Sequence, residues 1–368
     1  MEGDKAGLGY VGVLHKSTFQ KKYWLLTVFV VSLIVLFSGG FGIVHIILNK
    51  NSQNYLEGDV CGDGSVYNSC SQVKPYFCSE GKLIESASFC GCPEGFELNG
   101  ESCFSKYQNN SKKIRLKYTL NGKLDFIDFE VYGNFSDYTS KIPRSISYSG
   151  EYNVSRADFK LKAINDEEQR NFLLPLVIEI QNLTNNKEDQ ARIAISLVQN
   201  IPFGSSNKTY SFLGEKLNHT RYPYEVLYDF KGVCGEKTDL LIFLLRELGY
   251  GVSFFYYIPE NHEAAGVKCP IEESLMNTGY CFIETTSPSI ITDDEIAYAA
   301  VGKLYSEPEF YFLSDGESLG ENMEEYKDAE KLIRIRNSID NRGVIGPFYR
   351  KTIEDLTYKY GLTEQYYR

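Results

Sequence analysis

Basic residues are scarce over most of this 368-residue chain, where 38 Lys and Arg face 49 Asp and Glu for a net charge of −11. The first fifty residues hold five lysines against two acids, so the remainder carries 33 basic and 47 acidic side chains. Nucleic acid and anionic lipid both demand clustered cations, and a body this acidic is a poor partner for either. The only tryptophan is Trp24, and only two histidines, His219 and His262, follow residue 50. No internal repeat or low-complexity tract is present. With 43% hydrophobic, 14% aromatic and 24% charged residues, the chain is not a disordered tail, a collagen-like repeat or a disulfide-only miniprotein. It is long enough for one large domain and a smaller module, each with its own core.

One stretch does lack charge altogether. Trp24 to Leu48 is 25 uncharged residues, WLLTVFVVSLIVLFSGGFGIVHIIL. A helix of that length spans roughly 37 Å, enough to cross a bilayer with some tilt. Lys16, Lys21 and Lys22 precede it, and acids begin at Glu57 beyond it. The positive-inside rule then puts residues 1–23 in the cytoplasm and the C-terminal 320 outside. A cleaved signal peptide is the rival, but the run exceeds the usual ~7–15 residue signal core and has no Ala-x-Ala site. The expectation is a single-pass anchor in the cell membrane. All nine cysteines lie after this run, as do six Asn-x-Ser/Thr sequons at Asn109, Asn134, Asn153, Asn182, Asn207 and Asn218. Both fit an extracellular, disulfide-permissive glycoprotein.

After a polar stalk, 49–60, six cysteines fall between Cys61 and Cys103: Cys61, Cys70, Cys78, Cys90, Cys92 and Cys103. An even count in a short exported stretch reads as a three-bridge framework with fifteen connectivities, three fewer once Cys90–Cys92 is set aside. Zinc is the alternative, disfavoured by an oxidising exterior and a module without histidine. The ending CGCPEGFELNGESC resembles the tail of an EGF-like module. That resemblance implies Cys61–Cys78, Cys70–Cys90 and Cys92–Cys103.

Further along, IRLKYTL and KLDFIDFEVYG flank Asn121-Gly122, a hairpin signal within a β-rich prelude over 112–164. Residues 165–201 show helical spacing, and 234–248 form an amphipathic helix ended by Gly249. FFYYI (254–258), AGVKC (265–269) and YCFIET (280–285) read as strands. The extension 291–368 mixes short strands with helices around 324–337 and 347–360.

If six cysteines close the small module, Cys234, Cys269 and Cys281 remain, and an odd one is an intermolecular bridge or a reactive thiol. Cys234 lies in DFKGVCGEKTDLLIFLLRELGYG, between two glycines and at the start of a helix that buries Leu240, Leu241, Leu244, Leu245 and Leu248. A helix N-terminus favours an anion there, whereas a structural cysteine belongs in the apolar stripe. A thiol nucleophile needs a base, and the base needs an orienting group. His262 opens the strand after Pro259, while His219 sits in a sequon that reads as a surface loop. Glu284 is an acid inside an otherwise apolar strand, which could equally mark a solvent-facing edge.

RYPYEVLYDFKGVCGEKTDLLIFLLRELGYGV, NHEAAGV and GYCFIETTSP together resemble the transglutaminase-like superfamily, a circularly related cousin of papain-like proteases, in its microbial membrane-anchored branch. The match covers roughly 165–290, about a third of the chain. It implies an α+β core with an antiparallel sheet and the nucleophile on a helix N-terminus. By it Cys234 is the nucleophile, His262 the base and Glu284 the orienting acid, a glutamate where many relatives have aspartate. Relatives place an oxyanion donor upstream of the nucleophile; Gln199 is the candidate, with a plain helix-terminal residue as its alternative. The implied chemistry is acyl transfer from protein or peptide amides through a thioester, as peptidase, amidase or cross-linker, with no metal or cofactor. A non-catalytic surface binding protein on the same fold is the alternative, and a Cys234-tethered dimer a weaker one.

A register conflict accompanies this reading. Were Cys269 and Cys281 directly opposite in a ladder, His262 would face Pro288. Were His262 opposite Glu284, the two sulfurs would be four residues out of step, roughly 13 Å. A disulfide there therefore needs a bulge or a folded-back loop.

Overall fold

The structure, a computed structural model, describes residues 60–150, 153–212, 215–295, 297–298, 302–342 and 346–363. The expected cytoplasmic tail, the Trp24–Leu48 run and residues 49–59 of the stalk lie outside the described residues.

The cysteine-rich module contains two small hairpins, β1 (Tyr76–Ser79) with β2 (Lys82–Glu85) and β3 (Glu97–Asn99) with β4 (Ser102–Phe104), around a single-turn helix α1 (Ala87–Cys90). Elements this short cannot bury a core by themselves. Three disulfides hold them, Cys61–Cys78, Cys70–Cys90 and Cys92–Cys103.

Next comes the hairpin of β5 (Ser111–Leu120) and β6 (Lys123–Tyr132), closed by Leu120↔Lys123. Asn121 and Gly122 both have positive φ, 51° and 78°, as this two-residue turn demands. The rest of the expected β-rich prelude contains no strand among the described residues but two helices, α2 (Gly133–Lys141) and α3 (Arg156–Ile164). The 165–201 stretch forms two helices, α4 (Glu167–Leu183) and α5 (Lys187–Gln199), capped by the Asp166 and Asn186 side chains.

The small module docks on α4. Asn182 exchanges hydrogen bonds with the Leu83 backbone at 2.8 and 3.0 Å, so this sequon side chain is spent on packing. Gly62 lies so close that a Cβ there would stand 2.0 Å from the Gln181 carbonyl oxygen.

A short hairpin, β7 (Thr209–Phe212) with β8 (Glu215–Asn218), leads to α6 (Pro223–Asp229) and α7 (Cys234–Glu247). The central sheet is antiparallel and pairs β9 (Val252–Tyr257), β10 (His262–Lys268) and β11 (Tyr280–Ile283) with a strand from the extension. After the minimal pair β12 (Ala297–Tyr298) and β13 (Gly302–Lys303), that strand is β14 (Glu309–Ser314), giving the order β11-β10-β9-β14. Two helices follow, α8 (Glu324–Arg342) and α9 (Pro347–Tyr360).

All six residues of β9 are buried, which requires cover on both faces of the sheet. Phe254, Tyr256, Ala265, Val267 and Ile283 join the core built with α4, α5 and α7. Phe255, Tyr257, Ala264 and Phe282 join a second core with Leu332 and Ile335 of α8 and Leu356 of α9. The described residues thus form a three-layer α+β fold, with helices on each side of a small antiparallel sheet.

One architectural expectation is corrected. Among the described residues no helix is long and apolar enough to cross a membrane. The longest, α8, has 19 residues of which ten are charged. The leucine-rich α7 has only 14, well short of the ~20 that a bilayer needs. Over the described residues the fold class is therefore α+β with disulfides and without a membrane-spanning helix.

Candidate active site

The start of α7 is fixed from behind. The Glu236 carboxylate, in the helix's first turn, accepts from the Val233 N–H at 3.0 Å and the Arg221 N–H at 2.8 Å. It also accepts from Arg221 Nη1 at 2.9 Å, a charge pair buried on both sides. An acid here satisfies donors the helix leaves unpaired and complements its positive end. Cys234 is the first helical residue. It is half-buried and the one cysteine of nine outside a disulfide.

His262, at the first position of β10, is fully buried. Its Nε2 stands 2.8 Å from Oε2 of Glu284, also fully buried. The Cys234 thiol is a close enough neighbour of the ring to act on its titration. Burial alone would favour the neutral ring. The hydrogen bond to Glu284 and the charges of Glu284 and Cys234 outweigh it and push the His262 pKa up to about 10.

Glu284 is braced in turn. It follows the last residue of β11, and its Oε1 accepts from both the Thr286 N–H and the Thr286 hydroxyl at 2.6 Å. Thr285 points its hydroxyl at the Cys234 carbonyl, 3.4 Å away. The structure thus brings Cys234, His262 and Glu284 together, each on a different element of one core.

The register conflict resolves without a bulge. Val267 pairs with Cys281 and Ala265 with Ile283, midway between the two ladders considered from the sequence. Cys269 lies one residue past β10, two positions from the residue opposite Cys281, and the two bond with Cα atoms 5.7 Å apart. At the other end Glu284 is likewise two positions short of facing His262. Its strand has already ended, so the long glutamate side chain closes the gap.

Gln199 is not directed at the nucleophile. It is buried, and its amide nitrogen donates to the Glu284 carbonyl at 2.9 Å and to Ser289 O and Oγ at 3.2 and 3.0 Å. Its role in the fold is to tie the end of α5 to the segment carrying the acid.

Lys237 was not singled out by the sequence. It is fully buried one turn into α7 and donates to the carbonyls of Ile201 at 2.6 Å, Gln199 at 3.3 Å and Thr286 at 3.3 Å. Burial pushes its pKa down to about 7, against the opposing charge of Glu284. A lysine three residues after the cysteine, inside a leucine-rich helix, was the available signal.

His219 also departs from expectation. It is buried rather than in a surface loop, with Nε2 at 2.7 Å from Glu225 Oε1, while neighbouring Asn218 is exposed.

Fold and site together define an α+β protein with a half-buried cysteine at a helix N-terminus beside a buried histidine–glutamate pair. No family model matches the chain, and no curated protein does. Among solved structures, calcium-bound LapG of Legionella pneumophila is similar over 48% of this chain and 98% of that one. The identity is 13% and the TM-score 0.26, a weak link between folds from which no chemistry is taken.

Proposed function

We propose that this chain is a transglutaminase-like cysteine enzyme acting on protein or peptide amides in an oxidising compartment outside the cytoplasm. One observation carries the reading: the unbridged thiol of Cys234 neighbours an imidazole whose Nε2 is held by a buried carboxylate. Four disulfides support the compartment.

In the proposed reaction the Cys234 sulfur, its proton on His262, attacks the amide carbonyl and forms an S–C bond. As the C–N bond breaks, the imidazolium gives its proton to the departing amine, leaving a thioester. Water or a second amine then attacks the thioester and returns a proton to the imidazole. The sulfur leaves, and the product is an acid or a new amide. Glu284 holds the ring in the tautomer both halves require. With Gln199 engaged elsewhere, the donor for the developing oxyanion is the Cys234 N–H, which the helix leaves free.

The test is incubation of the protein with a peptide library, with and without a primary amine, for wild type and Cys234→Ala. Cleaved or amine-tagged products that vanish in the variant support the reading. No products, with Cys234 alkylated by iodoacetamide only at alkaline pH, would indicate a binding protein on this fold.

A further inference from the structure

An open cavity of about 270 Å³ lies between α3, the segment 220–222, Asp239 of α7 and Glu263 of β10. Two of its wall residues reach the chain next to the proposed chemistry. Glu263, next in chain to His262, lines it. Lys160, also in its wall, donates to the carbonyl of Gly235, next in chain to Cys234, at 3.0 Å. A Cβ on Gly235 would stand 3.2 Å from the Glu263 carboxylate, so the residue after Cys234 packs closely on a wall residue of the cavity. Cys234, Gly235 and Glu263 are all partly exposed.

The cavity's charge runs against that of the whole chain. Five cations line it beside two acids, Asp239 and Glu263. Three of the cations are neutralised. Lys160 pairs with Asp239 at 2.7 Å and Glu263 at 2.5 Å, Arg144 with Glu225, and Arg221 with Glu236 and Asp229.

The other two, Arg156 and Lys162, form no ion pair among the described residues. Lys162 donates only to the Ser145 carbonyl, at 2.5 Å. Arg156 is exposed, with its guanidinium 3.5 Å from the centroid of the buried Tyr256 ring. Stacking of that kind fixes the plane of the guanidinium while leaving its edge donors open, the geometry suited to a carboxylate. Phe159, half-exposed in the same wall, offers an apolar surface for the methylenes of a side chain.

We infer that this cavity is a subsite for an aspartate or glutamate side chain of the peptide substrate, its carboxylate received by Arg156 and Lys162. The inference rests on the proposed role of Cys234 and gives that site a substrate class, acidic peptides.

The test uses short peptidyl vinyl sulfones in which each position before the warhead is in turn Glu or Gln, with adduct formation at Cys234 followed by mass spectrometry. At one position Glu should label about tenfold faster than Gln, with the advantage shrinking as salt rises. In the double variant Arg156→Gln, Lys162→Gln the Glu/Gln ratio at that position should fall to about one. Only the ratio is read, so a general change in rate does not interfere. Equal labelling at every position, or a ratio that survives high salt or the double variant, would overturn the subsite. Failure of every electrophile, iodoacetamide included, would overturn the role of Cys234 instead.

Discussion

His262 and Glu284 meet at 2.8 Å although strand pairing sets them two positions apart. The contact depends on the extra methylene of glutamate. Glu284→Asp shortens the arm by one carbon and should weaken iodoacetamide labelling of Cys234 at pH 6 nearly as much as Glu284→Gln. Labelling by Glu284→Asp at the wild-type rate would show that the reach is not needed.

The basic limb of the acylation profile follows from His262. Its pKa is raised, so the protonated ring persists up to about pH 10 and activity should fall only as pH passes that value. Removing the charge in Glu284→Gln takes away part of what opposes burial, and the limb should move to lower pH. A limb that stays in place in the variant contradicts the assignment.

Lys237 should leave its mark on stability rather than on substrate binding. Its folded-state pKa is depressed to about 7 from an ordinary 10.5, so the unfolded chain binds more protons between those values. This group therefore makes the protein more stable as pH rises from about 7 towards 10.5. Lys237→Met should lose that contribution, read as the difference between the urea midpoints of the two proteins across the range. It should also slow labelling of Cys234, because the carbonyls of Gln199 and Thr286 lose their common donor.

Gln199→Leu leaves the buried carbonyls of Glu284 and Ser289 without a donor. The expected cost is about 1–3 kcal/mol in denaturant melts, with slower labelling at Cys234. An oxyanion donor would instead show labelling by iodoacetamide unchanged and only amide turnover lost.

Opening the Cys269–Cys281 bridge by paired serine substitution should lower stability by roughly 2–4 kcal/mol. The bridge ties β11 to the end of β10 only three residues before Glu284. The same variant should therefore lose labelling in step with the Glu284 variants.

Much of this arrangement was legible in the residues, where local chemistry dictates the outcome. Asn121-Gly122 could close only a hairpin, and the stretch after Cys234 could form only a helix with a buried leucine face. The order cysteine, histidine, acid brought three side chains to one place. What local pattern could not convey was long-range. Lys237 and Gln199 look like ordinary helix polars until the 284–289 segment folds over them. The cover on the second face of the sheet comes from α8 and α9, whose periodicity shows an apolar stripe without naming its partner. The unbroken VSFFYY of β9, with no alternation, was the trace of that two-sided burial.

The strand β14 and the helices behind it also decide where this protein can be cut. Arg336 of α8 grips Asp293 through a buried pair, with Nη1 at 2.9 Å, only a few residues beyond the acid-bearing loop. A fragment ending near residue 290 would bare Phe255, Tyr257 and Phe282 to solvent and orphan one edge of β9. Such a truncation should be recovered as aggregate, and any minimal folded piece has to run on through Tyr360.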